Sequence, residues 1–428
     1  MVIDLLITFF FIFAVPLKYF PVNTGKIILV FLFLFFIVKK YILSNRTNKW
    51  SLKISSDMFF MFFLFGVIIW ITLFFAIVKN TYDLNLTYTY VVNLLENFIG
   101  SLLLCYYLKY RNYNTNDVVF LLLMLMFIQS LIIVFSFFIE PMREFFFSIN
   151  KFESTLRDLY KRYGGFRGLG FSGAVTFDLA TFLSVSFIIV QIYSSYRIEF
   201  GKRFLIYVTL PFAFLAICIT GRTGFVGILL SLVLFLFLSL KQGKYIRVWY
   251  LIFGVFFVST ISINIFNVFK SDYPQLEKAY DYAFEIVENK VSGEGVQTDS
   301  TNRLLEMLDV DISDATYLSG DGYWLNSANP EQYYMNVDAG YKRHLLYYGF
   351  PMTFLVFSVF YATFLYFSYK AYKIKNDTNL FMILISIIVL FAMVQIKGDF
   401  IFGSAMNMKL LFLVLIYPYF ANKTVTAG

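Results

Sequence analysis

The sequence predicts an all-α integral membrane protein with about twelve transmembrane helices and a large, partly helical extracytoplasmic loop between the ninth and tenth helices. Three observations predict this fold. Of the 428 residues, 59% are hydrophobic and only 14% are charged, too few charges for the surface of a soluble domain of this length. Apolar runs of roughly 20 residues, the length that spans a bilayer, recur along the chain. Lys and Arg concentrate in every second connecting segment.

The apolar runs divide the chain into a bundle, a polar loop and a second, smaller bundle. Residues 1–266 hold nine spans and an outer loop at 140–173, residues 267–344 form the large outer loop, and residues 345–428 hold three spans and a cytoplasmic C-terminus. We predict the spans at 2–20, 26–43, 58–78, 88–108, 118–139, 174–193, 204–220, 224–240, 248–267, 345–367, 379–396 and 402–420.

The orientation follows from the positive charges in the short loops. One set of loops carries 17 Lys and Arg residues, whereas the short loops on the opposite side carry 5. Because positively charged loops stay in the cytoplasm, we predict that both termini are cytoplasmic. The net charge of +8 is explained in this way and does not indicate a nucleic-acid partner.

The large outer loop has the sequence pattern of a folded segment. Apolar residues between Ser271 and Val291 recur on one helical face, and Pro274 suits the first turn of that helix. A second short helix is predicted over 302–308. The segment 311–336 is irregular and combines aromatic side chains, including Trp324, with short polar ones, a composition that suits either a sugar-binding surface or an ordinary loop.

Two groups of basic residues on the outer side are candidates for anion binding. Arg222 lies in a very tight link between two spans, where it either anchors the helix end by snorkelling or acts as a fork donor to a phosphate or diphosphate. Arg162 and Arg167 flank a glycine-rich stretch whose backbone N–H groups can approach an anion. The alternative for this stretch is a flexible loop with solvated charges.

Further candidates lie at the ends of later spans. Arg343 and His344 close the large loop, and the single His is either a proton-transfer group or a structural residue. Lys397, beside Asp399, either anchors a helix end or completes an anionic-substrate site. With one His and two Cys, no His-rich or thiolate metal site is expected.

Two missing signals narrow the function. No acidic pair occurs in the first outer loop, 20–25, which argues against metal-dependent lipid-linked glycosyltransferases that carry such a pair. No phosphate-binding glycine-rich loop with a Lys-Ser/Thr ending occurs, which argues against ATP-driven transport. A transporter would also be expected to carry charges near the bilayer midplane, whereas here they concentrate in outer loops.

The layout and several motifs resemble the Wzy-type O-antigen and repeat-unit polysaccharide polymerases. The resemblance covers most of the chain in layout and is sharper in four motifs. These are Arg162 through Gly173, an arginine–ten residues–glycine pattern; Arg222-Thr223-Gly224; Thr301-Asn302-Arg303; and Gly320-Asp321-Gly322-Tyr323 followed by Asp338 through Arg343 and Gly349. The second arginine–ten–glycine pattern is absent, since Asp314 follows Arg303 and Phe354 follows Arg343 at the glycine position.

The resemblance implies a metal-independent glycosyltransferase without a cofactor in the bacterial inner membrane. Its partners would be undecaprenyl-diphosphate-linked oligosaccharides and membrane lipid, and whether a chain-length regulator binds is left open. The related O-antigen ligases carry a His in the same loop, so a ligase stays an alternative, and a lipid-linked oligosaccharide flippase is a further one. The implied catalytic residues are Arg222, Arg343, His344 and Asp338, and the implied substrate-binding residues are Arg162, Arg167, Arg303, Tyr341 and Lys397.

Overall fold

The computed structural model describes residues 1–44, 55–193, 200–241, 274–291 and 298–420. Within these ranges the secondary structure is helical and includes no β-strand, only two isolated bridges. In the first half of the chain the helices are α1 Val2–Phe13, α2 Thr24–Ser44, α3 Ser56–Val78, α4 Asn85–Tyr110, α5 Thr115–Phe138, α6 Glu140–Ile149, α7 Glu153–Arg162, α8 Phe177–Tyr193, α9 Phe200–Thr220 and α10 Gly224–Lys241.

The second half begins with the helices of the large loop and ends with three apolar helices. They are α11 Pro274–Val291, α12 Asp299–Leu308, α13 Asp314–Ser319, α14 Gly340–Tyr348, α15 Phe350–Lys375, α16 Thr378–Val394 and α17 Ala405–Phe420, with a 3₁₀ turn at Tyr334–Asn336. The two helices that the sequence predicts in the large loop are confirmed as α11 and α12. The stretch expected to be irregular also contains α13 and the 3₁₀ turn.

Four helices, α3, α4, α5 and α15, are long and apolar enough to cross a membrane. The shorter α1, α8, α9, α10, α16 and α17 are also apolar. The predicted span 248–267 lies outside the described residues, and the count of twelve spans stays a prediction. The first span was predicted too long, since α1 ends at Phe13 rather than at residue 20. Pro16 explains the difference, because proline cannot continue a helix and disfavours helical backbone in the residue before it.

The described chain separates into two compact units. Unit 1 consists of Met1–Ile12, Gly25–Val119 and Asp299–Gly428, and unit 2 consists of Phe13–Thr24 and Phe120–Thr298. In unit 1, α17 packs along α4 and against α15 and is buried over almost its whole length. In unit 2, α8 packs against both α9 and α10 and is buried in the same way. The large loop is therefore shared, with α11 in unit 2 and α12 to α14 in unit 1.

Unit 1 also contains buried polar groups that join its helices. Asp4 is 1% exposed and accepts hydrogen bonds from Tyr107 at 2.7 Å, Arg111 at 3.0 Å and Tyr113 at 3.1 Å. A carboxylate at this depth is costly unless it is paired and hydrogen-bonded, so these donors account for its burial. The pattern is structural and ties the start of α1 to the end of α4.

A buried lysine caps the C-terminal end of α1. Lys409 in α17 donates from Nζ to the Phe11 carbonyl at 2.8 Å, where a cation is favourable beside the C-terminal carbonyls of a helix. Glu96, inside α4, pairs with Lys26 at 3.8 Å. Glu96 ends the π-helical turn Val91–Glu96 inside α4.

Candidate functional site

The most unusual group in unit 1 is a buried arginine stacked on two aromatic rings. Arg343 in α14 is 5% exposed, and its guanidinium carbon lies 3.5 Å from the ring centroid of Trp324 and 3.6 Å from that of Tyr333. Its Nη2 lies 3.5 Å from the Trp324 carbonyl, and its Nε has no hydrogen-bond partner among the described residues. Two aromatic rings therefore contribute cation–π stabilisation to this guanidinium.

The loop that carries Trp324 is fixed by the short connection between α3 and α4. Asp83 Oδ2 accepts hydrogen bonds from the backbone N–H of Trp324 at 2.7 Å and of Leu325 at 3.0 Å. Thr81 donates to the Gly322 carbonyl at 2.8 Å. Leu325 in turn forms an antiparallel bridge with Tyr333. These bonds hold both rings of the Arg343 stack in one conformation.

Glycine is required where this loop meets α14. Gly320 has φ of +60°, and a side chain there would collide with backbone atoms of residues 347–349. The close approach lets the N–H groups of Asp321 and Gly322 donate to the carbonyls of Leu346 and Tyr347 at 2.8 and 3.0 Å. The glycines of the motif Gly320 through Tyr323 thus have a backbone role in docking the loop.

Asp338 interacts electrostatically with Arg343, and its pKa is raised. Its chain neighbours Val337 and Ala339 are fully buried in a small apolar core against α12. Burial raises the pKa of Asp338 to about 6, although the positive charges of Arg343 and Arg303 oppose that rise. Arg303 itself is exposed on α12.

A second acid, Asp399 in the turn between α16 and α17, acts on the same residues. Burial lowers the pKa of the Arg343 guanidinium, and the negative charge of Asp399 is the strongest influence that opposes this shift. Asp399 also raises the pKa of Asp338. Its carboxylate is oriented by Gln395, which donates to Oδ1 at 3.0 Å.

His344 is fully buried. Its Nδ1 lies 2.8 Å from the Gly340 carbonyl, which only accepts, so Nδ1 carries a proton and donates to it. Nε2 has no hydrogen-bond partner among the described residues. Burial lowers the pKa of His344, and the rings of Trp324 and Phe357 pack edge-on against it, with centroids at 5.0 and 5.1 Å.

Two predicted substrate-binding residues lie at the edge of this group. The Tyr341 hydroxyl lies 2.6 Å from the Tyr361 hydroxyl and donates to the Ala392 carbonyl at 3.1 Å, so it ties α14 to α15 and α16. Lys397 is half-buried in the turn that also carries Asp399. Unit 1 therefore brings together Arg343, His344, Asp338, Arg303 and Asp399.

Unit 2 contains a second arginine–aromatic group. The guanidinium carbons of Arg222 and Arg167 lie 3.9 and 4.3 Å from the ring centroid of Tyr282 in α11. Arg167 also stacks on Tyr163 at 4.0 Å and donates to the Tyr282 hydroxyl. Arg222 is buried and forms an ion pair with Glu285, with Nη1 and Oε2 2.6 Å apart.

The glycine-rich stretch that the sequence predicts as an anion cradle is covered by α11. A side chain at Gly164 or Gly165 would lie 2.6 Å from Cδ of Lys278 or 2.9 Å from Cγ of Gln275. The space beside these glycines is therefore filled by α11 side chains. Arg162, at the end of α7, is exposed and lies outside the stacked group.

Several residues of the two groups were not among the predicted site residues: Trp324, Tyr333, Asp83, Asp399, Tyr282 and Glu285. A usable signal existed for α11, because Gln275, Lys278, Tyr282 and Glu285 recur at helical spacing on the face opposite the apolar one. Among the described residues, no group of three or more His, Cys, Asp and Glu side chains lies close enough to hold a metal ion. No family model matches the chain, and no curated protein or solved structure is significantly similar to it.

Proposed function

We propose that this protein polymerises lipid-linked oligosaccharide repeat units at the outer face of the bacterial inner membrane. The growing glycan would move from undecaprenyl diphosphate to a single repeat unit on the same lipid. The observation that carries the proposal is the buried Arg343, stacked on Trp324 and Tyr333 and adjacent to a carboxyl group whose pKa is raised to about 6. This combination supplies a cation, a glycan-binding surface and a base in one unit.

The reaction needs a cation for the leaving group. The bond between the anomeric carbon and the diphosphate oxygen breaks, and the same carbon bonds to an acceptor hydroxyl oxygen of the repeat unit. Negative charge then grows on the diphosphate, and a fixed guanidinium stabilises it. No ion pair among the described residues occupies the N–H edge of Arg343, so phosphate oxygens that reach this edge would displace no carboxylate.

The acceptor hydroxyl must lose its proton to a base, and Asp338 suits this role better than His344. A base works best when its pKa lies near the working pH, and a carboxyl group with a pKa of about 6 is deprotonated at neutral pH yet more basic than an ordinary aspartate. His344 is fully enclosed by side chains. We therefore assign His344 to the support of Trp324 and Arg343.

The surface around Tyr333 suits a sugar. Tyr333 keeps 39% of its surface exposed while its ring contacts Arg343. The exposed amides of Asn329 and Gln332 lie beside it in sequence. Aromatic faces bordered by short polar groups suit the apolar faces and hydroxyl groups of sugars.

Unit 2 supplies a second anion-binding group. Each of the two substrates of a polymerase carries a lipid diphosphate, and Arg222 with Arg167 offers a second cluster of guanidinium groups suited to one. The positive charge of the predicted inner loops supports the orientation, with both termini in the cytoplasm and the large loop outside.

The test compares the surface glycan profile of a strain that lacks this protein with the profiles of the same strain after complementation. The complementing chains are wild type, Arg343→Ala, Arg222→Ala and, as an exposed control, Lys373→Ala. We expect the ladder of long glycans to disappear in the null strain and in both arginine variants, while one repeat unit remains on the lipid core. Wild-type chain and Lys373→Ala should restore the ladder, and equal membrane levels of all variants serve as the expression control.

Each alternative gives a different profile. A ligase would leave no repeat units on the core and would accumulate long lipid-linked chains. A flippase would accumulate single lipid-linked units in the cytoplasm. Normal polymer length and amount from both arginine variants would refute the assignment of these residues.

A further inference from the structure

The arginine group of unit 2 has more positive charge than the described residues around it balance. Arg167 and Arg222 stack on one ring, that of Tyr282, and one carboxylate, Glu285, is paired with Arg222. Among the described residues Arg167 forms no ion pair, and the Nε atoms of both arginines lack hydrogen-bond partners. Arg222 is buried and Arg167 is half-buried, and withdrawing two neighbouring cations from water is costly when one carboxylate faces them, so the group fits more negative charge than Glu285 provides.

The helix that supplies Glu285 covers this group with one face. Gln275, Lys278, Tyr282 and Glu285 follow one another at helical spacing along α11. The first two contact the backbone of Gly164 and Gly165, which have no Cβ to keep the helix away. The last two contact the arginines. One stripe of α11 thus covers both the backbone of the two glycines and the guanidinium groups.

We propose that Glu285 is an internal competitor for the anion site, and that a phosphate or diphosphate ligand binds Arg167 and Arg222 only when this carboxylate leaves Arg222. A carboxylate and a phosphate present similar oxygen pairs to a guanidinium fork, so one can replace the other. The exchange is feasible because the Glu285 side chain is 29% exposed and can be solvated when displaced. In the structure described here, the site is in its self-occupied form.

Competition between Glu285 and a diphosphate for Arg222 would determine whether the site binds its ligand. A diphosphate carries more charge than one carboxylate and also meets Arg167, so it gains contacts that Glu285 does not make. The inference rests on the proposed function for the identity of the ligand, a lipid-linked diphosphate. It extends that function by assigning α11 a role in regulating access.

The experiment measures binding of inorganic pyrophosphate to the full chain in lipid nanodiscs by titration calorimetry. The variants are Glu285→Gln and, as a matched control, Glu277→Gln, which removes the same charge from an exposed position on the same helix. We expect Glu285→Gln to bind pyrophosphate about tenfold more tightly than wild type, a difference of about 1.4 kcal/mol. Glu277→Gln should bind like wild type, and Glu285→Gln combined with Arg222→Gln should lose the gain.

Equal affinity of wild type and Glu285→Gln, or no binding by either protein, would overturn the competition. If Glu285→Gln does not fold, hydrogen exchange of the wild-type protein replaces it. Saturating pyrophosphate should then increase exchange in α11, and unchanged or slower exchange there contradicts the proposal. The glycan profile of Arg222→Ala separates the two ideas, because loss of polymer without a competition effect leaves the proposed function standing and rejects only the role of Glu285.

Discussion

The role of Asp83 gives the sharpest test of how the Arg343 stack is held. Asp83→Ala removes the carboxylate that accepts from the backbone N–H groups of Trp324 and Leu325. It also removes the acceptor for the Asn85 backbone N–H at 3.0 Å. Because Trp324 covers Arg343, loosening its backbone should release one side of the stack. The substitution acts at a position far from Trp324 in sequence and leaves both stacked residues unchanged.

The expected magnitude follows from the bonds that are lost. A hydrogen bond to a charged group contributes about 1.5–3 kcal/mol, and Asp83 is half-buried, so water recovers part of it. Two such bonds to the loop then amount to about 2–3 kcal/mol of local docking free energy. That free energy corresponds to an increase of at least about thirtyfold in the undocked fraction of the loop. Asp83→Asn keeps an acceptor oxygen without the charge and should lose about half of the free energy.

Hydrogen exchange resolved at individual amides measures this loss directly. The amides of Trp324 and Leu325 should exchange faster in Asp83→Ala, with an intermediate rate in Asp83→Asn. Asp311→Ala, which removes an exposed acid from the same unit, is the control and should leave both amides unchanged. The reasoning is refuted if the two amides are as protected in Asp83→Ala as in wild type.

Three further predictions concern the acids Asp338 and Asp4. Polymer formation in proteoliposomes should rise with pH through about 6, where Asp338 loses its proton, and Asp338→Asn should remove activity. The pKa of Asp338 in the folded protein is raised above its ordinary value of 3.8, so its contribution to folding stability should fall as pH rises from about 4 to 6. If the unfolding midpoint of Asp338→Asn falls equally over this pH range, the prediction is contradicted. Asp4→Ala should lower the free energy of unfolding by about 1–2 kcal/mol, because the Tyr107 and Tyr113 hydroxyls lose their acceptor while the half-exposed Arg111 stays solvated. An unchanged unfolding temperature in detergent would contradict this role.

The helices were largely predictable because apolar runs long enough for a membrane are the strongest pattern in the sequence. The error at α1 has a local cause that hydropathy does not register. Residues 14–20 are apolar enough to extend the run, but Pro16 interrupts the backbone, and Ala14 adopts φ of +44°. Residue Leu17 then bridges to Asn150 as extended chain. A rule for backbone geometry, rather than for composition, was needed there.

The candidate site was predictable only in part, because its residues meet through long-range docking. The sequence singled out Arg343, His344 and Asp338 from one short segment. Trp324 reaches Arg343 only because Asp83, 241 residues earlier, fixes its backbone, and no local pattern encodes that contact. On α11, the apolar face forms the stronger sequence pattern, so the opposite face with Tyr282 and Glu285 was not predicted as part of the site.

The two arginine groups, one in each unit, share one arrangement, in which guanidinium groups stack on aromatic rings. An ion pair would occupy the N–H edge of the guanidinium, whereas an aromatic ring covers only its flat face. Arg343 and Arg167 both stack on rings, and their Nε atoms have no hydrogen-bond partner among the described residues. Arg222 differs because a carboxylate, that of Glu285, is bonded to its N–H edge, and an anion that binds there would have to displace it. If both groups bind diphosphates, the ligand of unit 2 must displace Glu285, whose side chain is exposed enough to be solvated when it leaves. Ligand entry would then be controlled at unit 2 rather than at unit 1.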